Sequence, residues 1–252
     1  MKVLEHYLMG LESWLRTNSI ARSAREFINA LATISDTPFK SISRALEKFG
    51  VDTVIDCGAN VGQFGLDLRR QGFEGLIISY EPVLEIFETL SQTIVKHQPW
   101  KAFQLGLGSE ESELSINVSG NAGLSSSILE MNSLHLENFP DSATIARQKI
   151  SLSTIDQQLK IFGLPPQQVM LKLDVQGYES LVLKGASRSL PEIPLCYLEV
   201  SLCPLYKGET SFLPILVELS HFGHEVIDVF RGIRARDGQL LQLDILTTLS
   251  KR

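Results

Sequence analysis

Hydrophobic positions along the chain follow two periods. Over the first fifty residues the period is helical: Leu4, Leu8, Leu11 and Leu15 recur at spacings of three and four, and Tyr7 and Trp14 widen the stripe. Thr37-Pro38 interrupts the pattern; it resumes over 39–49 and stops at Gly50. This predicts a helical extension, 1–50, packed as a layer on a main domain, 51–252. From Val51 the texture changes to short apolar runs ending in polar residues, VDTVIDCGAN and, about 25 residues later, GLIISYEP, with a helical pattern over 63–71 between them. A helix over 83–97 and strands over 102–107 and 112–118 follow. VMLKLDVQG (169–177) and LCYLEVS (195–201) predict further strands, and 177–186 and 211–222 further helices. Strands over 225–230 and 240–248 flank the turn signal Asp237-Gly238. Strands alternating with helices imply an α/β, mostly parallel sheet covered on both faces, and the last two strands imply an antiparallel edge hairpin. The Ser- and Asn-rich stretch 119–150 breaks the alternation and reads as an excursion over the sheet's functional edge.

Composition narrows the class. The chain has 252 residues, 44% hydrophobic and 21% charged, which fits a folded globular protein and not a disordered or collagen-like one. The formal charge is −6, and residues 1–50 carry seven Lys/Arg against five Asp/Glu, so the acidic excess lies beyond them. That balance argues against a general nucleic-acid partner. Three cysteines, Cys57, Cys196 and Cys203, do not form a disulfide framework and fit a reducing compartment. No apolar stretch reaches the roughly 20 residues of a membrane span, and Glu5, His6 and Glu12 interrupt the first apolar stretch, so no signal peptide is read there. The expectation is a cytoplasmic protein without stable membrane insertion, its oligomeric state open.

Candidate chemistry starts at Asp56-Cys57-Gly58-Ala59-Asn60-Val61-Gly62, where a strand gives way to a helix. Glycines there let backbone approach a ligand. A dinucleotide loop requires G-x-G-x-x-G, but Asn60 stands at its second glycine; a P-loop requires Gly-Lys-Ser/Thr, and Gln63-Phe64-Gly65 lacks it. A side chain at Asn60, where a pyrophosphate needs bare backbone, suits a nucleoside without one. Glu81 ends the next strand, 19 positions after Gly62, where an acid can accept hydrogen bonds from both ribose hydroxyls. The glycine turn, Asp56 and Glu81 together point to a nucleoside site.

VIDCGANVGQFG, SYEP, LKLDVQGYESLVLKGA and YLEVSLCPLYKGE, in this order and spacing, resemble the FkbM family of S-adenosylmethionine-dependent methyltransferases, from about residue 45 to the C-terminal LLQLD. The resemblance implies the class I methyltransferase (Rossmann-like) fold, a seven-stranded sheet with one antiparallel strand, and O-methyl transfer to a hydroxyl of a sugar, glycan or small natural product. It places Asp56, Gly58, Asn60 and Gly62 in the cofactor loop, Glu81 on the ribose, and Gly106 and Leu107 beside the adenine. The acid that the family often carries after the third strand is displaced here, with Ser109 in its place and Glu110 next. Ser125-Ser126-Ser127 matches a serine-rich stretch of the family.

Lys172 and Asp174 lie two apart in VMLKLD and share a strand face; Glu199 ends YLEV. Charged groups inside apolar strands are costly unless paired or functional. With the family's strand order, Asp56, Asp174 and Glu199 come from neighbouring strands at the carboxyl edge, where ligands bind. Asp174 is the first candidate for a base, Glu199 the second, and Lys172 could hold the carboxylate or the acceptor; the competing reading is a buried ion pair of Lys172 with Asp174 or Glu179. The five histidines show no metal spacing, and no metal is assigned. His135, in the excursion, could line an acceptor site, although a core or surface role is commoner. Two rival functions remain: a nicotinamide-dependent oxidoreductase, which G-x-G-x-x-G would have marked, and a non-catalytic cofactor-binding or partner module on the same fold.

Overall fold

The computed structural model describes residues 38–250. The predicted helical stripe over 1–37 lies outside the described residues. Elements are numbered from Pro38. The helix α1 (Pro38–Phe49) is followed by β1 (Thr53–Cys57), α2 (Gln63–Arg70), β2 (Leu76–Tyr80), α3 (Leu84–Ile94) and β3 (Trp100–Phe103). Then come β4 (Gly106–Leu107), β5 (Ser112–Ser119), α4 (Ser133–Asn138), β6 (Thr144–Ser153) and α5 (Ile155–Phe162). The chain ends with β7 (Val169–Leu173), α6 (Glu179–Lys184), β8 (Leu195–Ser201), α7 (Phe212–His221), β9 (His224–Arg231) and β10 (Gln242–Leu249).

The main sheet has seven strands in the order β3-β2-β1-β7-β8-β10-β9. The pairs β3–β2, β2–β1, β1–β7 and β7–β8 are parallel, while β10 runs antiparallel to both β8 and β9. This is the class I methyltransferase arrangement, mostly parallel with one antiparallel strand. The hairpin predicted at the C-terminus is present, but its second strand inserts beside β8, so β9 forms the sheet edge.

Every residue of β1 is buried, as a run covered on both faces requires. Alternate side chains serve opposite layers. Val54 belongs to the buried cluster that holds Ile42 and Leu46 of α1 and Phe64 and Leu68 of α2, whereas Ile55 belongs to the one that holds Leu159 of α5, Val182 of α6 and Ile215 of α7. The buried positions of α1, Ile42, Ala45 and Leu46, have helical spacing, and Gly50 ends the helix at a φ of 66°.

Two expectations change. The strand read over 102–107 is two strands in two sheets: β3 closes the main sheet, and the chain then turns at Gln104-Leu105 so that β4 pairs with β6. A Cβ on Gly106 would lie 2.4 Å from Leu152 of β6, so glycine permits this close approach. The stretch 119–150 is not purely irregular. It holds α4 and most of β6, which with β4 and β5 forms a three-stranded sheet. Most of β6 is exposed, with Ile150 and Leu152 its only buried large apolar side chains, so no period marks it in the sequence.

Candidate active site

A cavity of about 370 Å³ opens at the carboxyl ends of β1, β2, β7 and β8. Its far wall comes from the small sheet, through Ile116 and Ile150, and from the loop 123–128; Phe39 of α1 closes one side.

The loop after β1 is shaped by close backbone contacts. Gly58 and Ala59 donate their N–H groups to the Tyr80 carbonyl, both at 3.1 Å. Gly58 has a φ of 73°, and a Cβ there would lie 1.9 Å from the Asp174 carbonyl oxygen, so only glycine lets the β1 and β7 ends meet. Asn60 is left-handed at φ 48°, a conformation asparagine tolerates. Its side-chain oxygen accepts from the Val61 N–H at 2.8 Å. Its own N–H donates to Glu81 Oε2 at 3.0 Å, and the Val83 N–H donates to Glu81 Oε1 at 2.9 Å. Glu81 is therefore fixed by backbone on both oxygens, and each oxygen keeps further acceptor capacity toward the cavity. Burial pushes its carboxyl up to about 7, against the pull of the two N–H donors.

Behind the loop a polar row crosses the sheet. Ser79, Asp56, Lys172 and Tyr197 are successive register partners on β2, β1, β7 and β8. Asp56 is fully buried; it accepts from Ser79 Oγ at 3.1 Å and pairs with Lys172 Nζ at 3.0 Å. Trp100 Nε1 in turn donates to Ser79 Oγ at 3.0 Å. Lys172 Nζ also donates to the Gly58 carbonyl at 2.8 Å and lies 3.7 Å from Asp174 Oδ2. Burial opposes the ammonium charge, but Asp56 and Asp174 outweigh it and hold Lys172 above the usual lysine range. The ion pair anticipated between Lys172 and Asp174 or Glu179 is thus centred on Asp56. Glu179 instead accepts from the N–H groups of Val175 and Gly177, and burial raises its carboxyl to about 8.

Beyond Lys172 the cavity turns acidic. Asp174, Glu199 and Asp244 all line it, and Glu199 and Asp244 are direct partners across β8 and β10. Burial, then Asp174 and Asp244, push Glu199 well above the usual carboxylate range. Burial, then Asp174, raises Asp244 to about 7, against its hydrogen bond with Tyr197. The Gln176 amide bridges two of these acids, donating to Asp174 Oδ1 at 2.8 Å and to Glu199 Oε2 at 3.0 Å. Gln242 Nε2 donates to the same Glu199 oxygen at 2.9 Å. Among the described residues no group of three or more His, Cys, Asp or Glu side chains could hold a metal ion.

A family model described as the methyltransferase FkbM domain matches residues 56–226. The chain belongs to the FkbM methyltransferase family. Among curated proteins it is 28% identical over 155 residues to methyltransferase sdnD of Sordaria araneosa, covering 52% of this chain and 59% of that one. It is 26% identical over 145 residues to methyltransferase 1 of Beauveria bassiana (strain ARSEF 2860), covering 52% and 57%. The match thus spans less than three fifths of each relative. Among solved structures, the magnesium protoporphyrin IX methyltransferase of Synechocystis PCC 6803 with bound SAM aligns at a TM-score of 0.44 and 12% identity, over 99% of this chain and 96% of that one. Fibrillarin from Aeropyrum pernix with bound S-adenosyl-L-methionine aligns at 0.43 and 12%, over 78% and 66%.

The family's cofactor, S-adenosylmethionine, fits the residues present. Glu81 has backbone-fixed carboxylate oxygens at the cavity, suited to hydroxyl donors, and Leu107, Ile150 and Tyr178 give apolar walls suited to a base. Of the residues singled out from sequence, Gly58, Asn60, Glu81, Gly106, Leu107, Lys172, Asp174 and Glu199 line one cavity, whereas Asp56 and Gly62 stand behind it. Gly62 caps α2 at φ 95° against Leu90 and Trp100. His135 does not line it; it is buried edge-on against Phe139 and Tyr206. The serine stretch is structural on two sides: Ser127 Oγ donates to the Gln176 carbonyl at 2.7 Å and Ser126 Oγ accepts from the Ser119 N–H. Sequence reading passed over Gln176, Tyr197 and Asp244. Asp244 carries the same signal as Asp174, an acid inside an apolar strand; Gln176 is uncharged and carries none.

Proposed function

We propose that this chain catalyses methyl transfer from S-adenosylmethionine to a hydroxyl of a sugar, glycan or other small molecule. The observation that carries the reading is one cavity with a buried, backbone-fixed carboxylate, Glu81, at one end and an accessible carboxylate, Asp174, at the other. When bound, the cofactor supplies an electrophilic methyl group on a sulfonium. Glu81 takes the ribose hydroxyls, with Asn60 and Gly58 shaping the loop beside it and Gly106 and Leu107 flanking the base. Asp56 acts from behind, through Lys172, whose ammonium ties down the Gly58 carbonyl.

A hydroxyl is a weak nucleophile while protonated, so a positioned base speeds its attack. Asp174 is that base: its side chain is 40% exposed at the cavity, and its Oδ2 lies 3.7 Å from Lys172 Nζ. Glu199, raised by burial and then by its acidic neighbours, acts as a hydrogen-bonding partner of the acceptor. The acceptor end holds Asp174, Glu199 and Asp244, and its lysine is engaged with Asp56; this supports a neutral acceptor over a polyanion such as RNA. Phe39 of α1 and Leu124, Ser126 and Ile128 of the 119–150 stretch line the cavity and select the acceptor. The three free cysteines support a cytoplasmic setting, and among the described residues no helix is long and apolar enough to cross a membrane.

The test is incubation of the purified protein with methyl-deuterated S-adenosylmethionine and fractions of cell extract, followed by mass spectrometry. The reading expects a product whose deuterated methyl group is on oxygen. Label on nitrogen or carbon would refute O-methylation, and label in RNA would refute the small-molecule acceptor.

A further inference from the structure

Gln176 uses every polar atom of its side chain in the cavity, although it carries no charge. Its Nε2 supplies both protons of one amide to two different acids, Asp174 Oδ1 and Glu199 Oε2. Its Oε1 accepts from the Tyr206 hydroxyl at 2.7 Å. That hydroxyl also lies 3.1 Å from the Ser125 carbonyl, but it has one proton, and the shorter contact is to Gln176. The reverse amide orientation would set a carbonyl oxygen against two carboxyl groups, so the acids themselves fix which end faces them. The backbone of Gln176 is held as well: it is left-handed at φ 54°, and its carbonyl accepts from Ser127 Oγ. Backbone of this kind persists where its surroundings over-determine it, and it clusters at functional sites. A neutral loop residue needing only solvent would require none of these four anchors.

Resting on the methyl-transfer reading, we infer that Gln176 is a positioning residue: anchored by Tyr206, it holds Asp174 Oδ1 and, with Gln242, Glu199 Oε2, and so turns Asp174 Oδ2, 3.7 Å from Lys172 Nζ, to the acceptor hydroxyl. Two acids whose oxygens share one nitrogen would otherwise repel each other or share a proton between them, and either arrangement takes the base out of service. An N–H donated to a carboxylate favours its charged form and keeps the unused oxygen from competing for the proton. The ionisable groups facing the pair are Lys172 on β7, Tyr197 on β8, Asp244 on β10, Glu179 on α6 and Tyr206. Of these only Lys172 is cationic, and it sits closer to Asp56, at 3.0 Å, than to Asp174 Oδ2, at 3.7 Å. Gln176 is therefore a main source of hydrogen-bond donors for Asp174 and Glu199.

Three variants test this: Gln176→Met, which keeps length and removes both donors; Gln176→Glu, which keeps shape and adds a third acid; and Tyr206→Phe, which removes only the anchor. Cofactor affinity is read by calorimetry, and single-turnover transfer of labelled methyl to the acceptor-containing extract fraction is read across pH. Gln176→Met is expected to bind S-adenosylmethionine within about threefold of wild type, to transfer at least about tenfold more slowly, and to move the acidic limb of the rate profile up by about one pH unit. Gln176→Glu moves the limb further in the same direction, and Tyr206→Phe moves it less. Profiles that superimpose on wild type, once scaled for folded fraction, overturn the inference and leave Gln176 a structural residue. Where Gln176→Met does not fold, the Tyr206→Phe profile decides by the same criterion. Cofactor binding by wild type with no transfer to any fraction refutes the underlying reading, an outcome separate from an unmoved pH profile.

Discussion

Glu81 and Asp174 are both carboxylates at strand ends, and their surroundings divide their tasks. Glu81 is 6% exposed and its carboxyl is raised to about 7. Because its folded value lies above its unfolded one, burial penalises the ionised form, and the stability this group gives the unliganded protein declines as pH rises from the ordinary carboxylate range toward 7. Ribose hydroxyls donate to the ionised form, so binding has the opposite trend. Affinity for S-adenosylmethionine should fall by about tenfold between pH 8 and pH 6, and Glu81→Gln should bind weakly with a flat profile. Calorimetry at several pH values checks both; a wild-type profile as flat as the variant's would take Glu81 off the ribose. At Asp174 binding and chemistry separate. Asp174→Asn should fold and bind cofactor, yet transfer methyl groups about 10²–10⁴-fold more slowly, since Asn cannot take a proton. Retained turnover in that variant would contradict its role as base.

At the scale of elements, the ends of β1 and β7 are joined by one glycine and one lysine. Lys172 neutralises Asp56 and ties the Gly58 carbonyl. Lys172→Met leaves a fully buried carboxylate with Ser79 as its remaining side-chain donor, so it should cost about 3–5 kcal/mol and lower Tm by on the order of 10 °C. A melting curve checks this, and an unchanged Tm together with lost activity would make Lys172 primarily catalytic. The parallel strands, α2 and the hairpin were legible because their patterns are long and regular: VDTVIDC, GLIISY and LCYLEVS are apolar runs between turn signals. The loop after β1 that lines the cavity was legible because glycine and an acid mark it locally. The split of 102–107 between two sheets was not, since a strand that changes sheet keeps its alternation. Nor was β6, whose residues face solvent along most of its length. Asp56 reads from sequence as a loop residue beside a ligand, and its full burial was not legible. Its partner Lys172 is 116 positions away, and only the β1–β7 register brings them together. Gln176 was illegible for the same reason, because its meaning lies in Asp174, Glu199 and Tyr206 at once.

For the whole molecule, the seven-stranded sheet presents its carboxyl edge to a small sheet contributed by β4, β5 and β6, and the cavity lies between them. The large sheet supplies charge and close backbone; the small one supplies Ile116 and Ile150 and, through Ser127, a hold on the loop bearing Gln176. The end with Glu81 and the end with Asp174, Glu199 and Asp244 thus share one space. Whether this space takes S-adenosylmethionine is measured by titration calorimetry of the intact protein with S-adenosylmethionine and, in parallel, NAD. Saturable one-to-one binding of S-adenosylmethionine is expected, weakened about tenfold or more in Glu81→Ala, with no binding of NAD at matched concentration. Binding of NAD alone, or of S-adenosylmethionine with unchanged affinity in Glu81→Ala, would contradict that expectation.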